Sequence, residues 1–353
     1  MIPELGIIEG RFGRTWTWPE RTTVLRLLAA EGYGFYHYAP KGDAHLRRDW
    51  RSRHSAEEEA QIATFSSECH DLGVRFGMAL TPIGVTHPFD AQARQDLGRR
   101  LAELEGLGLD DLGILFDDLR GDLPDLAATQ ADVVNFCVAQ TSARVYFCPT
   151  YYSTDPVLDI VFGARPAGYL EELGRLLAPD VRVFWTGEEV CAREIRPGHI
   201  ERVSAALGRP ICLWDNYPVN DGARMSRHLH LRAFTGRSVA LGQHVAAHAI
   251  NPALQPWLTC IPAVTLRLSY ERGEAYQYGS AFEEAARTIV GAPLARMLRE
   301  DLAALQDLGH DRLGDRLERL RSRYASQDHP AAREVLRWLD GDDLMAGDVV
   351  RTQ

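Results

Sequence analysis

Leu112-Gly113-Ile114-Leu115-Phe116-Asp117-Asp118 is an apolar run of five residues closed abruptly by two adjacent carboxylates. A run this short, with no polar alternation, suits a strand buried on both faces, as in a parallel sheet covered by helices. Working outward, the same kind of run recurs on both sides. Candidate strands are Leu5–Ile8, Gly34–Tyr38, Arg75–Leu80, Leu112–Phe116, Arg144–Cys148, Val181–Trp185, Pro210–Leu213 and Val245–Ile250. Between them lie segments of helical period: Glu20–Glu31, Glu57–Leu72, Asp90–Leu107, Gln130–Gln140, Tyr169–Leu177 and His199–Leu207. Gly32 and Gly73 supply stop signals after the first two. Eight strands alternating with helices predict an α/β protein, a (β/α)8 TIM barrel. An open doubly wound sheet fits less well, because no G-x-G-x-x-G turn follows the first strand.

Beyond about Gly291 the pattern is helix only. Leu294, Leu298, Leu302 and Leu305 share one face, as do Leu313, Leu317, Leu320 and Tyr324. The expected organisation is a catalytic barrel over 1–290 and a small C-terminal helical appendage over 291–353. The appendage would pack on the barrel or on a second copy of the chain, giving a homo-oligomer through these helices. An extension of the barrel's last helix is the simpler alternative.

The 353 residues are 45% hydrophobic and 25% charged, an ordinary globular mixture. A formal net charge of −10 disfavours nucleic acid and anionic membrane surfaces as partners. Arg316, Arg319, Arg321 and Arg323 are interleaved with Asp315 and Glu318 and read as a solvated helix face. Six scattered cysteines, Cys69, Cys137, Cys148, Cys191, Cys212 and Cys260, form no C-x-x-C pair and read as buried thiols. With no leader-like N-terminus and no membrane-length apolar run, the expected setting is the reducing cytoplasm.

In a TIM barrel the reactive groups stand where strands end and the following loops begin. Polar clusters fall at six such ends: Glu9 to Gly13, Tyr38 to Asp43, Asp117-Asp118, Pro149 to Tyr152, Trp214 to Asp221, and Asn251-Pro252. Two neighbouring carboxylates resist being charged together, which separates a proton donor from an anion. Adjacent residues cannot readily flank a glycosidic bond as nucleophile and acid, so a glycosidase built on them needs another nucleophile. A 2-acetamido group on the substrate can serve, because intramolecular attack carries a very large effective concentration. Capping of the next helix is the plain structural role for the same two acids.

The segments IIEGRFG (7–13), YAPKGD (38–43) with Trp50-Arg51 downstream, LFDDL (115–119), FCPTYY (147–152), FWTG (184–187), WDNYPVND (214–221) and INP (250–252) resemble, in order and spacing, glycoside hydrolase family 84. These are the retaining β-N-acetylglucosaminidases, which include protein O-GlcNAcases. The resemblance covers about residues 5 to 255 and implies the following roles, with an N-acetylglucosamine glycoconjugate as substrate and no cofactor or metal. Asp117 would polarise the acetamido group toward an oxazoline, and Asp118 would be general acid and then base. Gly10 and Lys41 would contact hydroxyls, Tyr152 would support the acetamido end, and Trp214 would wall the pocket. Asn216 would bond a hydroxyl or the acetamido region, Asp221 the 4- and 6-hydroxyls, and Asn251 the 3- or 4-hydroxyl. Taken singly, each has a plain structural role: a surface lysine, core aromatics, turn asparagines, a backbone glycine.

The chain departs from the family pattern at Arg11, Gly42 and Tyr151, and the stretch after Asn251 lacks an acid often found there. These departures bear on aglycone preference and rate more than on reaction type. Three other readings are weaker. Asp117-Asp118-x-x-x-Asp122 superficially resembles a prenyl-synthase magnesium motif, but it closes a strand, whereas that motif lies in a helix. His244 with His248, or His228 with His230, lacks a third metal ligand. A sugar-binding barrel without turnover has no need of two adjacent carboxylates.

Overall fold

The computed structural model describes every residue except 1, 87, 118, 124, 348–351 and 353. Eight parallel strands close into a barrel in sequence order. They are β1 (Glu4–Glu9), β2 (Tyr33–Tyr38), β3 (Arg75–Leu80), β4 (Asp111–Leu115), β5 (Arg144–Cys148), β6 (Arg182–Trp185), β7 (Ile211–Asp215) and β8 (Val245–Ile250). The helices between them are α1 (Trp18–Ala29), α2 (Ala56–Asp71), α3 (Ala91–Glu105), α4 (Leu126–Gln140), α5 (Pro156–Phe162), α6 (Tyr169–Leu176), α7 (Pro197–Leu207) and α8 (Gly222–Met225). After β8 come α9 (Pro256–Arg272), α10 (Tyr278–Leu302), α11 (Arg316–Ala325) and α12 (Pro330–Asp340). The expected TIM barrel and helical C-terminal region are both present.

Local signals start the helices where the chain needs them. Thr17 and Glu20 cap α1 reciprocally, and Ser55 and Glu58 do the same for α2. Short α5 and long α9 are helices that the apolar periodicity does not announce. α9 is buried nearly all round, so it lacks a polar stripe.

Inside the barrel, glycines allow close approach of neighbouring strands' side chains. A Cβ on Gly6 would lie 2.2 Å from the Phe35 ring, and one on Gly113 would lie 2.5 Å from Ala79. The lower end of the barrel is filled by a polar cluster in which Arg75 pairs with Glu4 and Asp111, Arg182 with Glu4, and His37 with Asp111 at 3.0 Å. Glu4, Arg75, Asp111 and Arg182 sit at the starts of β1, β3, β4 and β6, away from the strand ends that carry the candidate site, and His37 reaches Asp111 from β2. They hold the barrel together rather than act on a ligand.

The C-terminal helices are fastened to the barrel. Glu334 of α12 accepts the Trp257 and Leu258 backbone N–H groups at 2.9 and 3.0 Å, occupying the first turn of α9. Trp338 is fully buried and donates to the Ser226 carbonyl at 2.9 Å. Buried Asp343 accepts Gln255 Nε2 at 2.9 Å, and Gln255 Oε1 in turn accepts Asn220 Nδ2 at 3.0 Å. The tail thus reaches, through three side chains, the residue next to Asp221. Gly291 breaks α10 with φ 77°. Among the described residues no helix is long and apolar enough to cross a membrane.

Candidate active site

The C-terminal ends of the strands surround a cleft with about 500 Å³ of open volume. Its walls include Gly10, Lys41, Asp117, Tyr152, Trp214, Asn216, Asp221 and Asn251, so eight of the nine candidate residues meet in one place. The ninth, Asp118, lies outside the described residues.

The fold brings these residues together through strand register. Leu115 of β4 pairs with Cys148 of β5, and the Phe116 N–H continues the ladder to the Cys148 carbonyl at 2.8 Å. Thr150 Oγ1 then donates to the Phe116 carbonyl at 3.0 Å, so the chain enters Asp117 from a fixed direction. Asp117 is buried, and Lys41 Nζ pairs with its Oδ2. Its Oδ1 is buried with no hydrogen-bond partner among the described residues. A carboxylate oxygen in that condition is costly unless something else donates to it.

Across the cleft, Trp214 ends β7 and its ring lies against Gly10. A Cβ on Gly10 would stand 2.1 Å from that ring, so the glycine is required by close packing. Lys41 Nζ is 5.8 Å from the Trp214 ring centroid, within cation–π range. Asn216 donates to the Val190 carbonyl at 2.8 Å and accepts Asn251 Nδ2 at 3.0 Å, while Asn251 Oδ1 accepts the Gly10 N–H at 3.3 Å. Asp221 Oδ2 accepts the Phe12 N–H at 2.8 Å. The loop after β1 therefore touches both sides of the site, since the Arg11 carbonyl also accepts the Lys41 N–H at 3.0 Å.

Below Asn216 lies a buried ion cluster. Asp215 receives Arg237 Nε and Nη2 at 2.7 and 2.6 Å and His248 Nε2 at 2.9 Å. Burial alone would raise the Asp215 pKa, but the Arg237 charge and these hydrogen bonds outweigh it and hold the group at about 2. His248 Nδ1 meets Tyr270 Oη at 2.8 Å, so both ring nitrogens are engaged. His230 Nδ1 lies 2.8 Å from the Val219 carbonyl, and His228 Nδ1 lies 2.6 Å from the Gln306 carbonyl. Among the described residues no three His, Cys, Asp or Glu side chains are grouped as a metal site.

The departures noted in the sequence find places. Arg11 is buried behind the cleft, 4.8 Å from the Trp16 ring centroid, and supports the β1 loop without lining the site. Next to Gly42, Asp43 is occupied by Tyr38 Oη at 2.9 Å, His54 Nε2 at 3.0 Å and the His45 N–H at 2.9 Å. Phe12, Cys148, Thr186, Val190, Cys191, Val219 and Thr352 also line the cleft and were not singled out from the sequence. Cys148 and Thr186 stand at the ends of β5 and β6, a position that could have marked them. All six cysteines are thiols.

A closed parallel barrel whose strand ends gather carboxylates, amides, a lysine and a tryptophan around one small cleft is the architecture of a TIM-barrel sugar-processing protein. A family model described as beta-N-acetylglucosaminidase matches residues 5–307, and the chain belongs to that family, glycoside hydrolase family 84. It is 30% identical over 262 residues to the Protein O-GlcNAcase of Rattus norvegicus and to that of Mus musculus, matching over 70% of this chain. The match spans only 28% of the length of each of these relatives. Among solved structures it is similar to an Asp-to-Asn variant of an O-GlcNAc hydrolase from Thermobaculum terrenum, with a TM-score of 0.80 and 26% identity. That likeness covers 95% of this chain and 80% of the other. A barrel strand leading into Asp117 leaves no place for the helical magnesium motif of a prenyl synthase.

Proposed function

We propose that this chain is a retaining β-N-acetylglucosaminidase that releases terminal β-linked N-acetylglucosamine, with the sugar's own acetamido group as nucleophile. The reading rests chiefly on Asp117, whose Oδ2 is held by Lys41 while its buried Oδ1 has no partner among the described residues. An acetamido N–H is the donor that this oxygen lacks. As the acetamido carbonyl oxygen bonds to C1 and the glycosidic C–O bond breaks, positive charge builds on the amide and Asp117 stabilises it. Asp118, assigned by resemblance, protonates the departing oxygen. It then takes a proton from the water that attacks C1 and opens the oxazolinium ring, giving the β-configured sugar.

Around this centre, Trp214 walls the ring and Tyr152 supports the acetamido end. Gly10, Lys41, Asn216, Asp221 and Asn251 bind hydroxyls and neighbouring polar atoms. No cofactor or metal enters the scheme. Similarity to the protein O-GlcNAcases favours a sugar carried on a protein or peptide, and six free cysteines accord with a reducing, cytoplasmic setting. The division into a barrel over 1–290 and a helical appendage over 291–353, and self-association through those helices, belong to the same proposal.

The test is a matched pair of 4-nitrophenyl β-glycosides, one of N-acetylglucosamine and one of glucose. Turnover confined to the first, with tight competition by a thiazoline mimic of the oxazoline, is the expected result. Comparable cleavage of both sugars, or indifference to the thiazoline, would refute neighbouring-group catalysis.

A further inference from the structure

A second, larger chamber of about 1100 Å³ lies beside the sugar cleft and shares two of its walls, Cys191 and Asn216. It is formed by the loops that follow β6 and β7. Four arginines line it, Arg193, Arg224, Arg232 and Arg237, together with His230 and the rings of Tyr217, Phe234 and Tyr278. Among the described residues no Asp or Glu does, in a protein of formal net charge −10.

The four arginines are not equivalent. Arg237 is committed to Asp215, and Arg232 to Asp307 and Tyr278 Oη. Burial pushes the His230 imidazole down to about 4, so it is neutral near pH 7. Arg193 and Arg224 are exposed, and no carboxylate among the described residues forms an ion pair with either. Glu188, Glu189 and Glu194 of the loop after β6 do not line the chamber; Glu194 pairs with Arg196, and Glu188 accepts the Arg196 N–H. Arg224 lines the chamber from α8, which begins directly after Asp221 of the cleft.

We infer that this chamber is the subsite for the aglycone, and that it takes an acidic peptide segment flanking the sugar-bearing residue. This rests on the N-acetylglucosaminidase reading above. Trp214, Asp221 and Asn251 line a cleft sized for one terminal sugar, so whatever the sugar is attached to must leave across the rim. There it meets two arginines without carboxylate partners and three aromatic rings, the pairing that selects carboxylates on an extended chain.

The experiment compares kcat/KM for three substrates at low salt. They are 4-methylumbelliferyl β-N-acetylglucosaminide and two glycopeptides of equal length carrying O-linked N-acetylglucosamine on serine, one flanked by aspartates and one by alanines. The acidic peptide should be preferred over the neutral one by about fivefold, mainly through KM, as two solvent-facing ion pairs would give. The preference should shrink in 0.5 M salt, because such contacts are screened. In the Arg193→Ala/Arg224→Ala variant the acidic-to-neutral ratio should fall to about one, a readout that a general loss of folded protein would not change. Equal kcat/KM for the two peptides in the native protein overturns the subsite, as does a preference that survives in the double variant. A disaccharide whose second sugar bears a carboxylate serves as a further arm, and its preference over the acidic peptide would overturn the peptide assignment. Failure to cleave the aryl glycoside would sink the N-acetylglucosaminidase reading itself, whereas its cleavage with no peptide discrimination would sink only the subsite.

Discussion

Replacing Asp215 with asparagine preserves the shape of the β7 terminus and removes one charge, which makes its consequence calculable. Asp215 is fully buried, and its partner Arg237 has a side chain only 4% exposed. With the carboxylate gone the guanidinium stays buried without a counter-charge, a change that typically costs about 3–5 kcal/mol. For a chain of this length, that is a fall in Tm of about 4–7 °C. The pH dependence gives an independent magnitude. A folded pKa of about 2 against an ordinary 3.8 means that Asp215 stabilises the fold fully above pH 3.8 and loses that contribution as the pH falls toward 2. The amount is about 2 kcal/mol. The stability gap between native protein and Asp215→Asn, measured by denaturant melts from pH 6 to 2, should therefore narrow by roughly that amount. Asp215→Asn/Arg237→Met should recover much of the loss, because the pair is then removed rather than broken. Since the Asn251 N–H bonds the Asp215 carbonyl at 2.9 Å and Asn251 bonds Asn216, KM should rise as well. A single variant as stable as the native protein at pH 7, or a gap unchanged across the acid range, would refute this account of the β7 terminus.

Other expectations concern the cleft and the tail. Asp117→Asn should lower kcat on aryl N-acetylglucosaminides by about 10²–10³-fold, as loss of a group that meets developing charge does, with fold unchanged by circular dichroism. Asp118→Asn should harm substrates with poor leaving groups far more than activated aryl glycosides, and azide should rescue the latter; equal losses on both would count against the assigned role. Gly10→Ala places a Cβ 2.1 Å from the Trp214 ring, so it should cost about 1–3 kcal/mol by chemical denaturation and raise KM. Burial raises Glu334 to about 8 despite its two backbone N–H bonds. The folded state therefore holds an extra proton between pH 4.5 and about 8, and stability falls as the pH rises through that window. Glu334→Gln should flatten this slope in melts at pH 5 and 8, and an identical slope in both proteins would count against it.

How much of this was legible beforehand follows from what each signal depends on. The eight strands show in the sequence because a strand covered on both faces is apolar through its middle, with charge confined mostly to its ends, and the observed bounds of β3, β5 and β8 coincide with the runs read from the sequence. α9 does not show as a helix of ordinary period, since burial all round removes the polar stripe that would betray it. The candidate cleft residues were legible because they stand at strand ends or in the loops that follow, where a barrel presents its chemistry, and because the motifs that hold them resemble those of the family. Val190, Cys191 and Phe12 were not, since apolar loop residues carry no local mark of facing a cavity. Arg11 illustrates the limit from the other side. Its identity suggested an altered loop, but only packing against Trp16 shows that it stands behind the cleft.

The order of apolar runs and strand-end polar groups in the sequence is enough to indicate a barrel and to place paired carboxylates on its rim, because both follow from spacing along one chain, whereas the individual roles on that rim came from the resemblance to the family. Tertiary structure alone decided that Asp117 keeps one oxygen on Lys41 and one without a partner among the described residues, that Asp215 is neutralised by Arg237, and that no described carboxylate neutralises Arg193 or Arg224. Those outcomes depend on which distant side chains come within a few ångströms of each other in a medium where charge is poorly screened, and no local pattern of residues encodes that distance.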